Sequence, residues 1–109
     1  MNIETEQVQN TTIVSPHGDI DTQQSTRLRE ELKSILNSST QQIIVDLTGV
    51  KYIDSSGIAT LIEALQICKQ GEKQFALCGL NSGVRSVIEL ARLDTIFVIE
   101  ETREDALLG

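Results

Sequence analysis

Tryptophan is absent from this chain, and Tyr52, Phe75 and Phe97 are its only aromatic residues. A core built here must be aliphatic, made of Ile, Leu and Val, and a surface that stacks nucleobases has no rings to use. Basic residues are also few: nine Lys and Arg stand against sixteen Asp and Glu, for a formal net charge of −7. So acidic a chain repels nucleic acid and anionic lipid, and neither is expected as a partner. The acidity reads as a solubility feature or, alternatively, as a docking face for a basic partner. No apolar run nears the ~18 residues that a membrane span needs. Met1 to Glu6 is polar and acidic, without the basic and apolar regions of a signal peptide, so the expected location is the cytoplasm.

Catalytic and metal chemistry find little to work with. A single histidine, His17, cannot supply a zinc cage, and no carboxylate cluster follows calcium-loop spacing. His17 beside Gly18 reads as a turn residue. Cys68 and Cys78 lie in apolar patterns, match no common zinc spacing and accompany no export signal; both are expected as structural thiols without a disulfide. No Gly-x-Ser-x-Gly elbow marks a serine hydrolase, and Gly79-x-x-x-Gly83 lacks the lysine of a phosphate-binding loop. A triad would need Ser55 or Ser56 to meet His17 and a carboxylate in space, and nothing in their spacing asks for that. No cofactor, metal or catalytic residue is expected, and the chain is read as a binding protein rather than an enzyme.

What is present is a regular alternation of strand and helix signals. The 109 residues suffice for one aliphatic core, and with Pro16 as the sole proline and no repeat or linker they read as one domain, 1–109. Ile3 to Ile20 reads as extended, with a turn at Gln9-Asn10, a β-branched strand at Thr11–Ser15 and a break or kink at Pro16-His17-Gly18. Asp21 to Leu36 is helical: Leu28, Leu32, Ile35 and Leu36 recur at helical spacing, and Asp21 with Gln24 resembles a capping box. Ile43–Leu47 is a short apolar run suited to a central strand, its Asp46 expected to bond a following turn.

A second helix runs from Asp54 to about Gln70 with Ile58, Leu61, Ile62, Leu65 and Cys68 on one stripe and Gly71 at its C′ position. Phe75–Cys78 is another buried strand. Asn81 or Ser82 caps a third helix with Val84, Val87, Ile88 and Ala91 inward. Ile96–Ile99 is a last strand, and Thr102–Asp105 opens a final helix whose Ala106-Leu107-Leu108 packs down. The order β-β-α-β-α-β-α-β-α implies an α/β fold with a mixed sheet of about five strands, the opening pair antiparallel, and helices packed on it.

The residues richest in chemistry are Asp54-Ser55-Ser56-Gly57-Ile58-Ala59-Thr60, at the handover from a buried strand to a helix. Read as residues alone, Asp54 is a good N-cap and the serines complete a helix start. The same start suits a phosphate, because free N–H groups and a partial positive charge gather there. Gly57, lacking a Cβ, would leave the serines open to a kinase or phosphatase. Both readings stand on physics alone.

Asp54-Ser55-Ser56-Gly57-Ile58 resembles the signature of STAS domains, the bacterial anti-sigma-factor antagonists. Gly18-Asp19-Ile20-Asp21 resembles the segment before that family's first helix, and Asn81-Ser82-Gly83-Val84-Arg85 through Leu93-Asp94 resembles its third helix and the approach to the last strand. Together these cover essentially the whole chain. The chain departs from the family at Ala59, where a second glycine is usual.

The resemblance implies a phospho-switched binding module. Its unphosphorylated form would bind an anti-sigma factor that is also a serine kinase, freeing a sigma factor; phosphorylation at the first signature serine, Ser55, would dissociate the complex, and a serine phosphatase would reset it. Asp21, Asp54, Ser55, Ser56, Gly57 and Ile58 would form the partner-binding surface of a monomer that enters a heterocomplex. An alternative is an interaction or scaffold domain serving a transporter or signalling assembly, its serines only capping a helix. A helical wheel centred on the apolar stripe puts Ser56 opposite the stripe and Ser55 near its edge, which makes Ser56 the more exposed and the alternative acceptor.

Overall fold

Alternation along the strands decides the architecture. In the computed structural model, which describes residues 2–109, β1 (Asn2–Val8) and β2 (Thr11–His17) form a hairpin, followed by α1 (Thr22–Leu36), β3 (Gln42–Asp46), α2 (Ser55–Gln70), β4 (Gln74–Cys78), α3 (Ser82–Leu90), a 3-10 turn at Leu93–Thr95, β5 (Val98–Glu100) and α4 (Arg103–Leu108). The sheet order is β1-β2-β3-β4-β5, with β1 antiparallel and the others parallel. The expected element order and mixed five-stranded sheet are both present.

Val14, Ile43, Val45, Phe75 and Leu77 share a face covered by α1, α2 and α3 through Leu28, Leu61, Val84 and Ile88. Ile13, Ile44 and Cys78 point the other way, where Ala106 of α4 covers them. Fully buried leucines such as Leu28, Leu61 and Leu77 each contribute about 1.5–3 kcal/mol. Burial pushes the Cys68 thiol up to about 11 and Cys78 to about 12, the latter helped by the nearby Asp46 carboxylate, so both stay protonated and inert.

Because β2, β3, β4 and β5 run parallel, the helices between them return antiparallel to the strands. The N-termini of α1, α2 and α3 therefore gather at the C-terminal edge of the sheet, where the Asp54-Ser55-Ser56 segment lies.

Several local details differ from the sequence reading. Pro16 stays within β2 opposite Ile3. Its nitrogen lies on the same edge as the Gly18 N–H, which reaches the Gly49 carbonyl at 2.9 Å, and the β3 ladder has already ended at Val14, so no strand bond is lost. His17 is accordingly the last residue of β2 rather than a turn. Ile96 and Phe97 precede β5, because the 3-10 turn at Leu93–Thr95 carries the chain away from β4. Ala91 and Leu108 are exposed, since α3 ends at Leu90 and only the first two residues of Ala106-Leu107-Leu108 reach the sheet.

The end of α2 also differs. Gly71 is the C-cap, with φ −91°, and Glu72 takes the left-handed conformation at φ 58°. Lys73 N–H bonds the Cys68 carbonyl and Glu72 N–H the Lys69 carbonyl, closing a Schellman turn one residue later than glycine would prefer. A left-handed non-glycine costs about 1–2 kcal/mol, against about 0.5–1 kcal/mol of extra chain entropy for glycine. Glu72→Gly is therefore expected to stabilise the fold by about 0.5–1 kcal/mol, read as a higher urea midpoint at unchanged slope.

Candidate functional site

The segments entering α1 and α2 are stitched together. Ile20 and Ile53 form an isolated parallel bridge; Ile20 N–H donates to the Tyr52 carbonyl at 2.9 Å and Asp54 N–H to the Ile20 carbonyl at 3.1 Å. Two helix N-termini thus start side by side, each with an aspartate cap. Asp21 Oδ1 accepts from the Gln24 N–H at 2.9 Å, while the Gln24 side-chain oxygen is buried without a partner, so only half of the expected capping box forms. Asp54 Oδ1 accepts from the Ser56 N–H at 2.9 Å, the Gly57 N–H at 3.1 Å and the Ser56 hydroxyl. The Ser56 hydroxyl, then the Gly57 N–H, hold the Asp54 carboxyl below its usual range.

The two serines fare differently. Ser55 is the first residue of α2 and is exposed. Ser56 is half-buried: its hydroxyl donates to Asp54 and lies 3.0 Å from Ser25 Oγ on α1. The Ser55 hydroxyl takes part in none of these bonds. The helical wheel ranked them in the opposite order because it allowed α2 one buried stripe. In the fold α2 also packs sideways on α1, where Thr60 and Ala64 lie against Leu32 and Leu36 and Ser56 meets Ser25 on that flank.

Asp21 is exposed and Asp54 half-buried beside Ser55, whereas Gly57 is buried and Ile58 only 8% exposed. A Cβ on Gly57 would stand 2.6 Å from Ile53 Cγ1 and 2.8 Å from Ile20 Cγ2. The glycine is thus required from the inside, by the stitch, and not to clear an enzyme's approach from solvent. Ala59 faces outward, into a groove lined by Thr22, Ser25, Thr26 and Ser56.

His17 Nε2 lies 2.7 Å from the Glu4 carboxylate across the hairpin, so its partner is neither serine. Among the described residues no group of three His, Cys, Asp or Glu side chains is placed to hold a metal, and no helix is long and apolar enough to cross a membrane.

Asp46 bonds the turn after β3 as expected, accepting from the Thr48 N–H at 3.0 Å and its hydroxyl at 2.6 Å. Its other oxygen accepts from Arg103 Nε at 3.0 Å and Nη2 at 2.8 Å. Arg103 also reaches Glu6 at 2.8 Å and Ser15 at 3.0 Å, tying α4, β1, β2 and β3 beneath the loop that leads to Ser55. Burial acts to raise the Asp46 pKa, but the Thr48 and Arg103 bonds together outweigh it and hold the carboxyl low. Sequence reasoning missed Ser25 and Arg103, whose partners at the site, Ser56 and Asp46, lie 31 and 57 residues away.

A family model described as the STAS domain matches residues 2–106. The anti-sigma-B factor antagonist of Staphylococcus aureus is 26% identical over 104 residues, 95% of this chain and 96% of that protein. Among solved structures, a putative anti-sigma factor antagonist from Thermotoga maritima superposes with a TM-score of 0.92 at 24% identity, covering 96% of this chain and 91% of its own. The Bacillus cell fate determinant SpoIIAA in its phosphorylated form gives 0.76 at 17% identity, covering 97% and 96%.

Two outcomes test the geometry. Gly57→Ala is expected to lose about 1–3 kcal/mol through overpacking against Ile20 and Ile53, measured by urea unfolding. Asp46 has a folded pKa below its unfolded value of about 4, so the stability it adds is complete above that value and is lost as pH falls through the folded one. Asp46→Asn should therefore flatten the acid limb of the stability curve below about pH 5, and cost about 2 kcal/mol at neutral pH.

Proposed function

The chain belongs to the STAS domain family, and we propose that it is an anti-sigma-factor antagonist, a protein-binding module switched by phosphorylation of Ser55. The observation that carries this reading is the contrast between the serines: Ser55 is exposed at the start of α2, while the Ser56 hydroxyl is engaged by Asp54 and Ser25. The names of the relatives support the antagonist role, and the phosphorylated form of SpoIIAA supports a phospho-switch on this fold. The partner is an anti-sigma factor with serine kinase activity, and a serine phosphatase restores the binding form. Asp21, Asp54, Ser55 and Ser56 face that partner, and Gly57 and Ile58 hold them in place from the core side.

The electrostatics suffice for release. A phosphoserine adds about −1.5 to −2 charges at neutral pH. A −2 group about 6 Å from one partner carboxylate is repelled by about 1.4–5.5 kcal/mol at effective dielectrics of about 80 down to 20. Each 1.4 kcal/mol or so is tenfold in affinity, so one such contact weakens a micromolar complex by about tenfold up to about 10⁴-fold. The added charge also lies beside the Asp54 carboxylate, so the modified helix start presents two anions where the partner had met one.

A pull-down with unphosphorylated protein, followed by ATP, tests the reading. ATP should release the bound kinase with one phosphate on Ser55, Ser55→Ala should block the modification, and Ser55→Asp should weaken binding about tenfold or more. Phosphate mapped by peptide mass spectrometry to Ser56 in the alanine variant would reject the acceptor. Affinity of Ser55→Asp within about twofold of the parent would favour a scaffold role with the serines acting only as caps.

A further inference from the structure

Exposure alone does not separate the two signature serines. Ser56 is half-buried, and a groove of about 240 Å³ between α1 and α2, bordered by Thr26, Arg29 and Ala59, opens onto it. Its hydroxyl also rests on the Asp54 carboxylate, a group able to take its proton. On chemistry alone, a hydroxyl that leans on a carboxylate is a better nucleophile than one that does not. What withholds Ser56 from phosphoryl transfer is therefore the direction in which its oxygen is held, and the group that completes the hold lies on the other helix.

Ser25 is a buried polar residue, only 5% exposed. Its Oγ lies 3.0 Å from Ser56 Oγ and 3.0 Å from the Thr22 carbonyl of its own helix. The Ser56 proton goes to Asp54, because a charged acceptor outcompetes a neutral hydroxyl. The contact between the serines is then a bond donated by Ser25, whose proton is shared with the Thr22 carbonyl. One bond to its own helix cap and one from the neighbouring helix hold the Ser56 side chain in a single staggered well. Taking Ser55 as the phosphoacceptor, as proposed above, we infer that Ser25 selects it: by anchoring the Ser56 hydroxyl, Ser25 leaves Ser55 as the signature hydroxyl free to turn toward a kinase. Transfer needs the attacking oxygen in line with the γ-phosphorus of ATP and the departing ADP. The Oγ–P bond forms as the bond to ADP breaks, and the hydroxyl proton passes to a base, which for Ser56 would be Asp54. An oxygen held from two sides does not swing onto that line, whereas a side chain free to rotate does. Ser25 acts through Ser56 and is a positioning residue.

Two measurements on Ser25→Ala test this. Scalar couplings of the Ser56 β-protons read its rotamer without any kinase. One staggered well is expected in the parent and averaging among wells in the variant, while Ser25→Thr, which keeps the hydroxyl, stays like the parent. Incubation with ATP and the kinase retained in the pull-down, followed by peptide mass spectrometry, reads the acceptor. The parent should carry phosphate on Ser55, and Ser55→Ala almost none. The double variant with Ser25→Ala and Ser55→Ala should take phosphate on Ser56 at about ten times the level of Ser55→Ala or more, the equilibrium worth of one hydrogen bond. A merely structural role for Ser25 would lower the urea midpoint and leave the site of modification unchanged. Ser56 still confined to one well in Ser25→Ala, or a double variant modified no more than Ser55→Ala, would overturn the proposal. A parent that takes its phosphate on Ser56, or on neither serine, would overturn the assignment of Ser55 itself and the proposal with it.

Discussion

The close approach of Gly57 to Ile20 and Ile53 is the constraint on which the site depends. It lets the first turn of α2 sit against the bridge that joins the entries of both helices. With the helices held side by side, Asp54 caps one, Asp21 caps the other, and Ser56 can reach Ser25 across the gap. The exposure of Ser55 is what remains after its neighbours are committed. Two serines of the same type thus differ in availability because one backbone atom has no side chain attached to it.

Much of the fold could be read from hydrophobic period and capping residues. The alternation in β2, β3 and β4 and the aspartate, asparagine and threonine caps are local signals, and Asp21, Asp54, Asn81 and Thr102 all cap as their positions imply. The readings that failed involve competition between neighbouring elements. The wheel misplaced Ser56 because a helix in a layered fold packs against its sister helix as well as its sheet. Gly71 was passed over for Glu72 because α2 closes where Lys73 can lie along Thr40, not where glycine stands. Pro16 was tolerated because the neighbouring ladder had ended. None of these is encoded within a few residues of the position concerned.

The distribution of charge follows the same layering. Acidic side chains collect on β1 and around the helix starts, and the ion pair of Arg29 with Glu63 braces the outer seam of α1 and α2. At the far end of α2, Lys69 and Lys73 stand with Glu72 between them and Glu100 nearby. That end lies fourteen residues, about 21 Å, along α2 from Ser55, so a charge added at the serine leaves it nearly unaffected, since about 8–10 Å of physiological salt solution screens it.

Arg103 has a consequence in time. The carboxylate it pairs with, Asp46, is made 57 residues earlier. At about 5–20 residues per second of synthesis, roughly 3 to 11 seconds separate the two. By Cys78 the chain has made β2, β3 and β4 with α1 and α2, and Asp46 still waits 25 residues for its guanidinium. The latch on the far side of the sheet is therefore the last part of the fold to become available as the chain is made.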